Sequence, residues 1–402
     1  MLQLLKKDQL FGDWVTSISE VFQDSVAAHK IADVEVGSFL SSGVDSSYVA
    51  AVSRADKTFT VGFGEDEKYN EISYAKKFSR AIGRENFSHV ISKEEFWDVL
   101  PTIQYHMDEP LADPAAVALY FVCRLASQQV KVVLSGEGAD EIFGGYNVYS
   151  EPDATWYDRA PMALRRGIGK AAGIFPAQRG VNFLVRKGKT IEERFIGNAY
   201  IFTPAERKAL LKVETEAPDP TEITKPFYEK VQGADSVTKM QYLDLHLWMT
   251  GDILLKADKM SMANSLEVRV PFLDKKVMEL AGKIPSRYRV TRALSTDNKT
   301  PYITKHAMRL AAKKDTPNDT AETSNKKKLG FPVPIRVWLK EDDCYEMVKA
   351  AFTSEAAEKY FQTEMLVKLL DDHKVGKGDY SRKIWTVYMF LVWYRVFFEE
   401  QK

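Results

Sequence analysis

Apolar positions between residues 33 and 135 follow two alternating patterns. Short runs, VEVGSFL, KTFTVGF, NFSHVIS and KVVLS, are apolar on both faces, and between them apolar residues recur at helical spacing over 46–54, 70–82, 94–106 and 114–127. Such alternation predicts a parallel sheet covered by helices, with ligands bound beyond the carboxyl ends of its strands. The chemistry should therefore lie in the loops after Leu40, Phe63 and Ser135. Beyond about Tyr146 the strand signal fades, and the pattern predicts helices over 194–200, 204–211, 237–255, 275–282 and 302–313. Trp14, Ile18 and Val21 share a helical face and predict a leading helix packed on the sheet. The apolar stretch 384–398 is interrupted by Arg395 and is shorter than the ~20 residues of a bilayer span. It predicts a buried C-terminal helix with Trp385, Tyr388 and Trp393 in the core. The chain thus divides into a leading helix (1–30), an α/β core (31–150) and a mostly helical region completing the substrate site (151–402), the polar stretch 313–328 forming a mobile loop.

At 402 residues the chain exceeds what one hydrophobic core usually serves. Lys plus Arg (56) balances Asp plus Glu (56), which removes the diffuse positive field that nucleic-acid or anionic-membrane binding needs. Neither partner is expected. Cys123 and Cys344 form no CxxC, and the six histidines show no HxH or HExxH spacing, so a disulfide framework and a zinc site are both disfavoured. The first eleven residues hold no continuous apolar signal segment, and a reducing cytoplasm is the expected location.

Two loops carry the chemistry. LSSGVDSS, 40–47, lies between the first predicted strand and the helix after it. A glycine there admits backbone N–H groups to an anion, the hydroxyls of Ser41, Ser46 and Ser47 can donate to phosphate oxygens, and the helix N-terminus adds partial positive charge. It is no Walker loop, because the Gly-Lys-Thr at 188–190 has Phe183 where the upstream glycine belongs. Asp45 inside a phosphate cradle would repel its ligand unless a divalent cation sat between them, which implies Mg²⁺. The plainer alternative is that Asp45 and Ser46 cap a helix. LSGEGADEIFGGY, 134–146, follows the fourth strand with four glycines and three acids. That composition is costly unless backbone and carboxylates crowd a ligand; an acidic surface turn is the alternative. If the loops meet at one switch point, Asp45 and Asp140 can share a magnesium while Glu137 faces the reacting centre.

SSGVDSS resembles the SGGxDS loop of N-type ATP pyrophosphatases, and LSGEGADEIFGGY is similar to a hallmark of the synthetase domain of glutamine-hydrolysing asparagine synthetases. LLKADKMSM (254–262) with LEVRVPFLD (266–274), and KLGFPVP (328–334), resemble two further blocks in that family's order. The resemblance implies an α/β fold: a parallel-sheet ATP-pyrophosphatase (HUP-like) core with a mostly helical C-terminal region. It implies that Ser41, Gly43, Val44, Asp45 and Ser46 hold the ATP phosphates and their magnesium, and that Leu40, Val61 and the Ser135-Gly136 backbone take adenine and ribose. Glu137 corresponds to the carboxylate associated with forming and aminating an acyl-adenylate, Asp140 to a magnesium or pyrophosphate ligand, and Lys305 to the lysine that stabilises the adenylation transition state. Lys259 and Arg269 correspond to substrate or phosphate contacts.

The activity so implied is that of an ATP-dependent amide ligase. It would adenylate the side-chain carboxylate of aspartate and aminate it with ammonia, giving asparagine, AMP and pyrophosphate, with Mg²⁺ as cofactor and a homodimer as one assembly the resemblance allows. Two alternatives stay open: a related adenylating amide-forming enzyme, β-lactam synthetase-like or lasso-peptide cyclase-like, and a non-catalytic nucleotide-binding subunit. There are two departures. Full-length members begin with a glutaminase domain whose catalytic cysteine is the mature N-terminus, whereas this chain begins Met1-Leu2-Gln3 and enters the synthetase region directly. Free ammonia, or a separate glutaminase subunit, is therefore the expected nitrogen source. Ser42 also replaces the usual glycine, which narrows the loop's backbone freedom.

Overall fold

The computed structural model describes residues 10–399 apart from 65, 67, 154–155, 176–177, 293–301 and 318–332. After the leading helix α1 (Phe11–His29), the chain alternates β1 (Val36–Phe39), α2 (Val44–Ser53), β2 (Lys57–Phe63), α3 (Ile72–Ala81) and β3 (Glu85–Ile91). It continues through α4 (Lys93–Asp98), α5 (Leu100–Met107) and α6 (Ala115–Ser127) to β4 (Val132–Leu134) and α7 (Ala139–Phe143). These four strands are the four predicted runs. A fifth, β5 (Glu267–Arg269), completes a parallel sheet of order β3-β2-β1-β4-β5. The predicted fold class, a parallel α/β core followed by a mostly helical region, is the one observed.

Period-two alternation divides the strand side chains between two cores. Val132 and Leu134 pack with Trp14, Phe22, Tyr48, Phe272 and Met308. Val133 faces the other way, with Phe59, Cys123, Trp385 and Leu391. Each large apolar side chain so buried contributes about 1.5–3 kcal/mol. Trp14 and Ile18 of α1 are buried as predicted, and Val21 is half-buried. The C-terminal helix Ser381–Tyr394 buries Trp385 and Tyr388, while Trp393 is half-buried. Among the described residues no helix is long and apolar enough to cross a membrane.

Several expectations need correction. β5 arises between the helices expected over 237–255 and 275–282, in the region expected to be mostly helical, so the sheet crosses the boundary drawn at 150; three residues are too few to display strand periodicity. The helix expected over 94–106 divides at Val99, because Pro101 lacks the N–H that a continuous helix would use. The helix expected over 194–200 is absent: Ile191–Arg194 ends at Phe195, and Gly197 turns the chain at φ +104°. The span 237–255 is a helix, Ser236–His246, then a wide π-turn, Met249–Ile253, leading into Leu254–Met262. Tyr302 and Ile303 pair antiparallel with Arg292 and Thr291 before the helix His306–Asp315 begins. That helix takes in the start of the loop expected over 313–328; positions 318–328, and 329–332 of the KLGFPVP block, lie outside the described residues.

Candidate active site

The strand order reverses beside β1, with β2 and β3 on one side and β4 and β5 on the other. A crevice therefore opens between the loops that follow β1 and β4, where open α/β sheets bind ligands. The two loops touch. A Cβ added to Gly136 would lie 2.8 Å from Ser46 N and 2.9 Å from the Asp45 carbonyl carbon, so only glycine allows this approach.

Lys305 joins the loops from a third direction. It precedes the helix His306–Asp315 in a left-handed conformation, φ +54°, and its N–H donates to Gly144 O at 3.3 Å. A non-glycine residue in that region carries strain that the surroundings must hold in place. Its side chain is 1% exposed, and Nζ lies 2.6 Å from Asp45 Oδ2 and 2.7 Å from Asp140 Oδ1. Gly145 makes room for the pair, since a Cβ there would overlap the Asp140 carboxylate and the Lys305 side chain.

A cavity of about 460 Å³ runs along this crevice. Leu40, Val61 and the Ser135-Gly136 backbone line it, as do Ser41, Gly43, Val44, Asp45 and Ser46 of the first loop and Glu137, Asp140 and Lys305. In the first loop Ser41 Oγ accepts from Gly43 N–H at 3.1 Å and lies 2.9 Å from Ser46 Oγ, which accepts from Ser41 N–H at 3.0 Å. No side chain caps α2, so the capping alternative for Asp45 and Ser46 is not what this loop does. Ser47 Oγ lies 3.4 Å from Tyr74 OH, and Ser47 is not among the cavity-lining residues. Among the described residues no three His, Cys, Asp or Glu side chains form a metal cage. Magnesium does not need one: it is commonly held by one or two carboxylates with phosphates and water. Asp45 and Asp140, drawn within reach of a single ammonium, fit that donor set.

Farther in, Glu137 Oε2 is buried without a hydrogen-bond partner. Burial pushes this carboxyl up to about 7; Glu141 and Asp252 add to the rise and Lys256 opposes it. Beside it Lys256, 5% exposed, pairs with Asp113 and, at 2.8 Å, with Asp252, and its ammonium sits 5.8 Å from the Trp248 ring centroid. Burial works against the Lys256 charge, but the two carboxylates outweigh it and hold the ammonium above the usual lysine range. Trp248 Nε1 donates to Tyr146 OH at 3.1 Å, and Tyr146 OH donates to Glu141 Oε1 at 2.5 Å. The inner wall is thus a fixed polar lattice around one unpartnered carboxyl oxygen.

Two predicted residues are not brought to the cavity. Lys259 pairs instead with Asp108. Arg269 bonds Glu267 Oε1 at 2.7 Å and donates to the carbonyls of His29 and Ile31 at 2.8 Å, which ties β5 to the end of α1. Conversely, Lys256, Trp248, Arg309 and Glu71 line the cavity and were not singled out in the sequence. Lys256 stands inside the LLKADKMSM block, but spacing does not distinguish it from Lys259 one turn later. Cys123 and Cys344 are both free and buried, the latter in the helix Asp342–Phe352.

The profile of the family described as asparagine synthase matches residues 17–395. The chain is 44% identical over 393 residues to "Asparagine synthetase [glutamine-hydrolyzing] 1" of Bacillus subtilis (strain 168), covering 96% of this chain and 60% of that protein. It is 43% identical over 388 residues to "Putative asparagine synthetase [glutamine-hydrolyzing]" of Mycobacterium tuberculosis (strain ATCC 25618 / H37Rv), covering 95% and 58%. A more distant similarity, 25% over 367 residues, reaches "Amidase chyE" of Penicillium rubens, covering 81% of this chain and 53% of that protein. The chain spans about three fifths of the length of the first two relatives. With the profile covering nearly all of it, the chain belongs to the asparagine synthase family.

Proposed function

We propose that the protein is an ATP-dependent amide ligase that activates the side-chain carboxylate of aspartate as an acyl-adenylate and aminates it with ammonia. The observation that supports this most directly is the contact of Gly136 with Asp45 and Ser46, which makes one crevice of the two glycine-bearing loops. Ser41, Gly43 and Ser46 receive the β- and γ-phosphates, with the adenosine over Leu40, Val61 and Ser135. Asp45 and Asp140 hold Mg²⁺, which when bound neutralises phosphate charge. Lys305, released from the two carboxylates, meets the charge that develops on the α-phosphoryl group. It works by positioning and electrostatics, as catalysis of phosphoryl transfer generally does.

An aspartate carboxylate oxygen attacks the α-phosphorus, the bond from that phosphorus to the bridging oxygen breaks, and pyrophosphate leaves. Ammonia then forms a bond to the acyl carbon, the carbon–oxygen bond to AMP breaks, and the new C–N bond is that of the amide. The proton lost from nitrogen goes to Glu137. A carboxyl held up to about 7 is both ionised enough and basic enough to accept it near neutral pH. No enzyme nucleophile is required. Lys256, held by Asp113 and Asp252, acts on Glu137 electrostatically, and with Asp113 it forms the wall against which the acceptor lies.

The test is pyrophosphate release with Mg-ATP and ammonium against a panel of amino acids. Release stimulated by aspartate, with asparagine as product, is expected. No stimulation by aspartate would reject the assignment, and stimulation by another carboxylate would move it to a related amide-forming reaction.

A further inference from the structure

The phosphate loop carries a serine, Ser42, where its resemblance leads one to expect glycine, and the structure gives that serine a partner. Ser42 N–H donates to Glu71 Oε2 at 3.0 Å and Ser42 Oγ donates to Glu71 Oε1 at 2.5 Å. Both carboxylate oxygens are thus engaged by one residue of the loop, and Glu71 and Ser42 both line the cavity. The contacts among Ser41, Gly43 and Ser46 are internal to the loop, whereas farther along Asp45 pairs with Lys305 and Ser47 Oγ lies beside Tyr74 OH. Glu71 is the group that ties the tip of the loop, at Ser42, to a separate element.

Glu71 is itself held firmly. It precedes α3, where its carbonyl accepts from Ala75 N–H at 3.0 Å. Its neighbour Asn70 accepts from Ile72 N–H at 3.0 Å and donates to Gly64 O, at the end of β2, at 2.7 Å. Asn70 also fills the space over β2, since a Cβ on Gly62 would lie 2.7 Å from Asn70 Oδ1. A continuous line of contacts therefore runs from β2 through Asn70 and Glu71 to Ser42.

We infer that Glu71 is a positioning residue for nucleotide binding: through Ser42 it holds the phosphate loop in the shape that receives the triphosphate. The inference rests on the assignment of this crevice to Mg-ATP. The opposite role is physically distinct. A carboxylate lining a phosphate site could act as a competing anion, and its neutralisation would then strengthen nucleotide binding by relieving like-charge repulsion. Positioning predicts the reverse, because losing two hydrogen bonds to a charged acceptor frees the loop, and ordering it again subtracts from binding.

The experiment measures the dissociation constant of Mg-ATP by calorimetry, with KM and kcat for pyrophosphate release, in the parent, Glu71→Ala, Glu71→Gln and Ser42→Gly. Glu71→Ala is expected to weaken binding and raise KM by about tenfold or more, with kcat at saturating Mg-ATP falling by less than about threefold. Glu71→Gln, which can still accept one bond from Ser42, should recover part of the loss. Ser42→Gly keeps the N–H bond and removes the hydroxyl bond, so its loss should be smaller than that of Glu71→Ala, and Glu71→Ala added to it should cost less than it does in the parent. Equal or tighter binding in both Glu71→Ala and Glu71→Gln would overturn the inference and leave the nucleotide assignment standing. A parent protein that binds no Mg-ATP would overturn both. The glutamine variant keeps the question decidable if the alanine variant does not fold, since it preserves shape while removing the charge and one of the two acceptors.

Discussion

The ammonium of Lys305 lies 2.6 Å from Asp45 Oδ2, a contact between residues 260 positions apart in the chain. With Asp140 Oδ1 at 2.7 Å from the same nitrogen, the lysine occupies the point where two carboxylates need a cation. Lys305→Ala should therefore destabilise the protein by withdrawing the ammonium from two largely buried carboxylates, and added Mg²⁺ should recover more stability in the variant than it adds to the parent. Thermal unfolding with and without Mg²⁺ reads this directly. Equal increments in the two proteins would separate the carboxylate pair from the metal. Pyrophosphate release should fall by about hundredfold or more.

Asp45→Asn keeps the side-chain shape and removes the charge. Pyrophosphate release should fall by about hundredfold or more, while the protein still unfolds cooperatively. Activity within about threefold of the parent would remove Asp45 from the metal and phosphate machinery.

Gly136→Ala tests the contact between the loops. Its Cβ would press on backbone atoms of Asp45 and Ser46, which cannot rotate away as a flexible side chain can. We expect a stability loss of about 1–3 kcal/mol and a loss of Mg-ATP affinity of at least tenfold, about 1.4 kcal/mol of binding. Parent-like affinity in calorimetry would mean that the loops separate without consequence for the nucleotide.

Glu137 gives opposite pH trends for stability and activity. Its folded-state value, about 7, lies above that of an unfolded glutamate. The folded state therefore binds the proton more tightly, and the stability this contributes is full below the unfolded carboxyl range and lost as pH rises through about 7. A base must be ionised, so amide formation at constant free ammonia should rise over the same interval. Glu137→Gln removes the ionisation: it should raise Tm relative to the parent by more than about 2 °C at pH 8 and by less at pH 5, while lowering amide formation by about hundredfold or more. A difference in Tm that is the same at both pH values would contradict the burial-driven shift.

The four strands of the core and both loops were legible because each is a local signal: a run apolar on two faces, or glycines crowded among acids at a strand's carboxyl end. β5 was not, because three residues on a sheet edge carry no periodicity and are recruited by Val132, Val133 and Leu134. The wall around Lys256 was hidden for a related reason. Asp252 stands four residues before it, as in many surface pairs, and Asp113 comes from a different part of the chain. Which lysine of the helix Leu254–Met262 enters the cleft is set by how that helix packs on α5 and α6, so Lys256 faces the cavity and Lys259 reaches Asp108. The break at Met249–Ile253 belongs here too; a π-turn changes the direction in which the following helix presents its side chains.

By itself the sequence determined the class of fold, the two glycine-bearing turns that line the crevice and the types of residue available to them, because strand and helix periodicity and glycine placement are properties of neighbouring residues. Only the tertiary structure decided that Gly136 meets Asp45, that Lys305 lies between two carboxylates, that Glu71 holds Ser42, and that Lys259 and Arg269 stand elsewhere. Those outcomes depend on strand order and on the direction of each helix across the sheet, and no local pattern of residues encodes a distance between side chains so far apart along the chain.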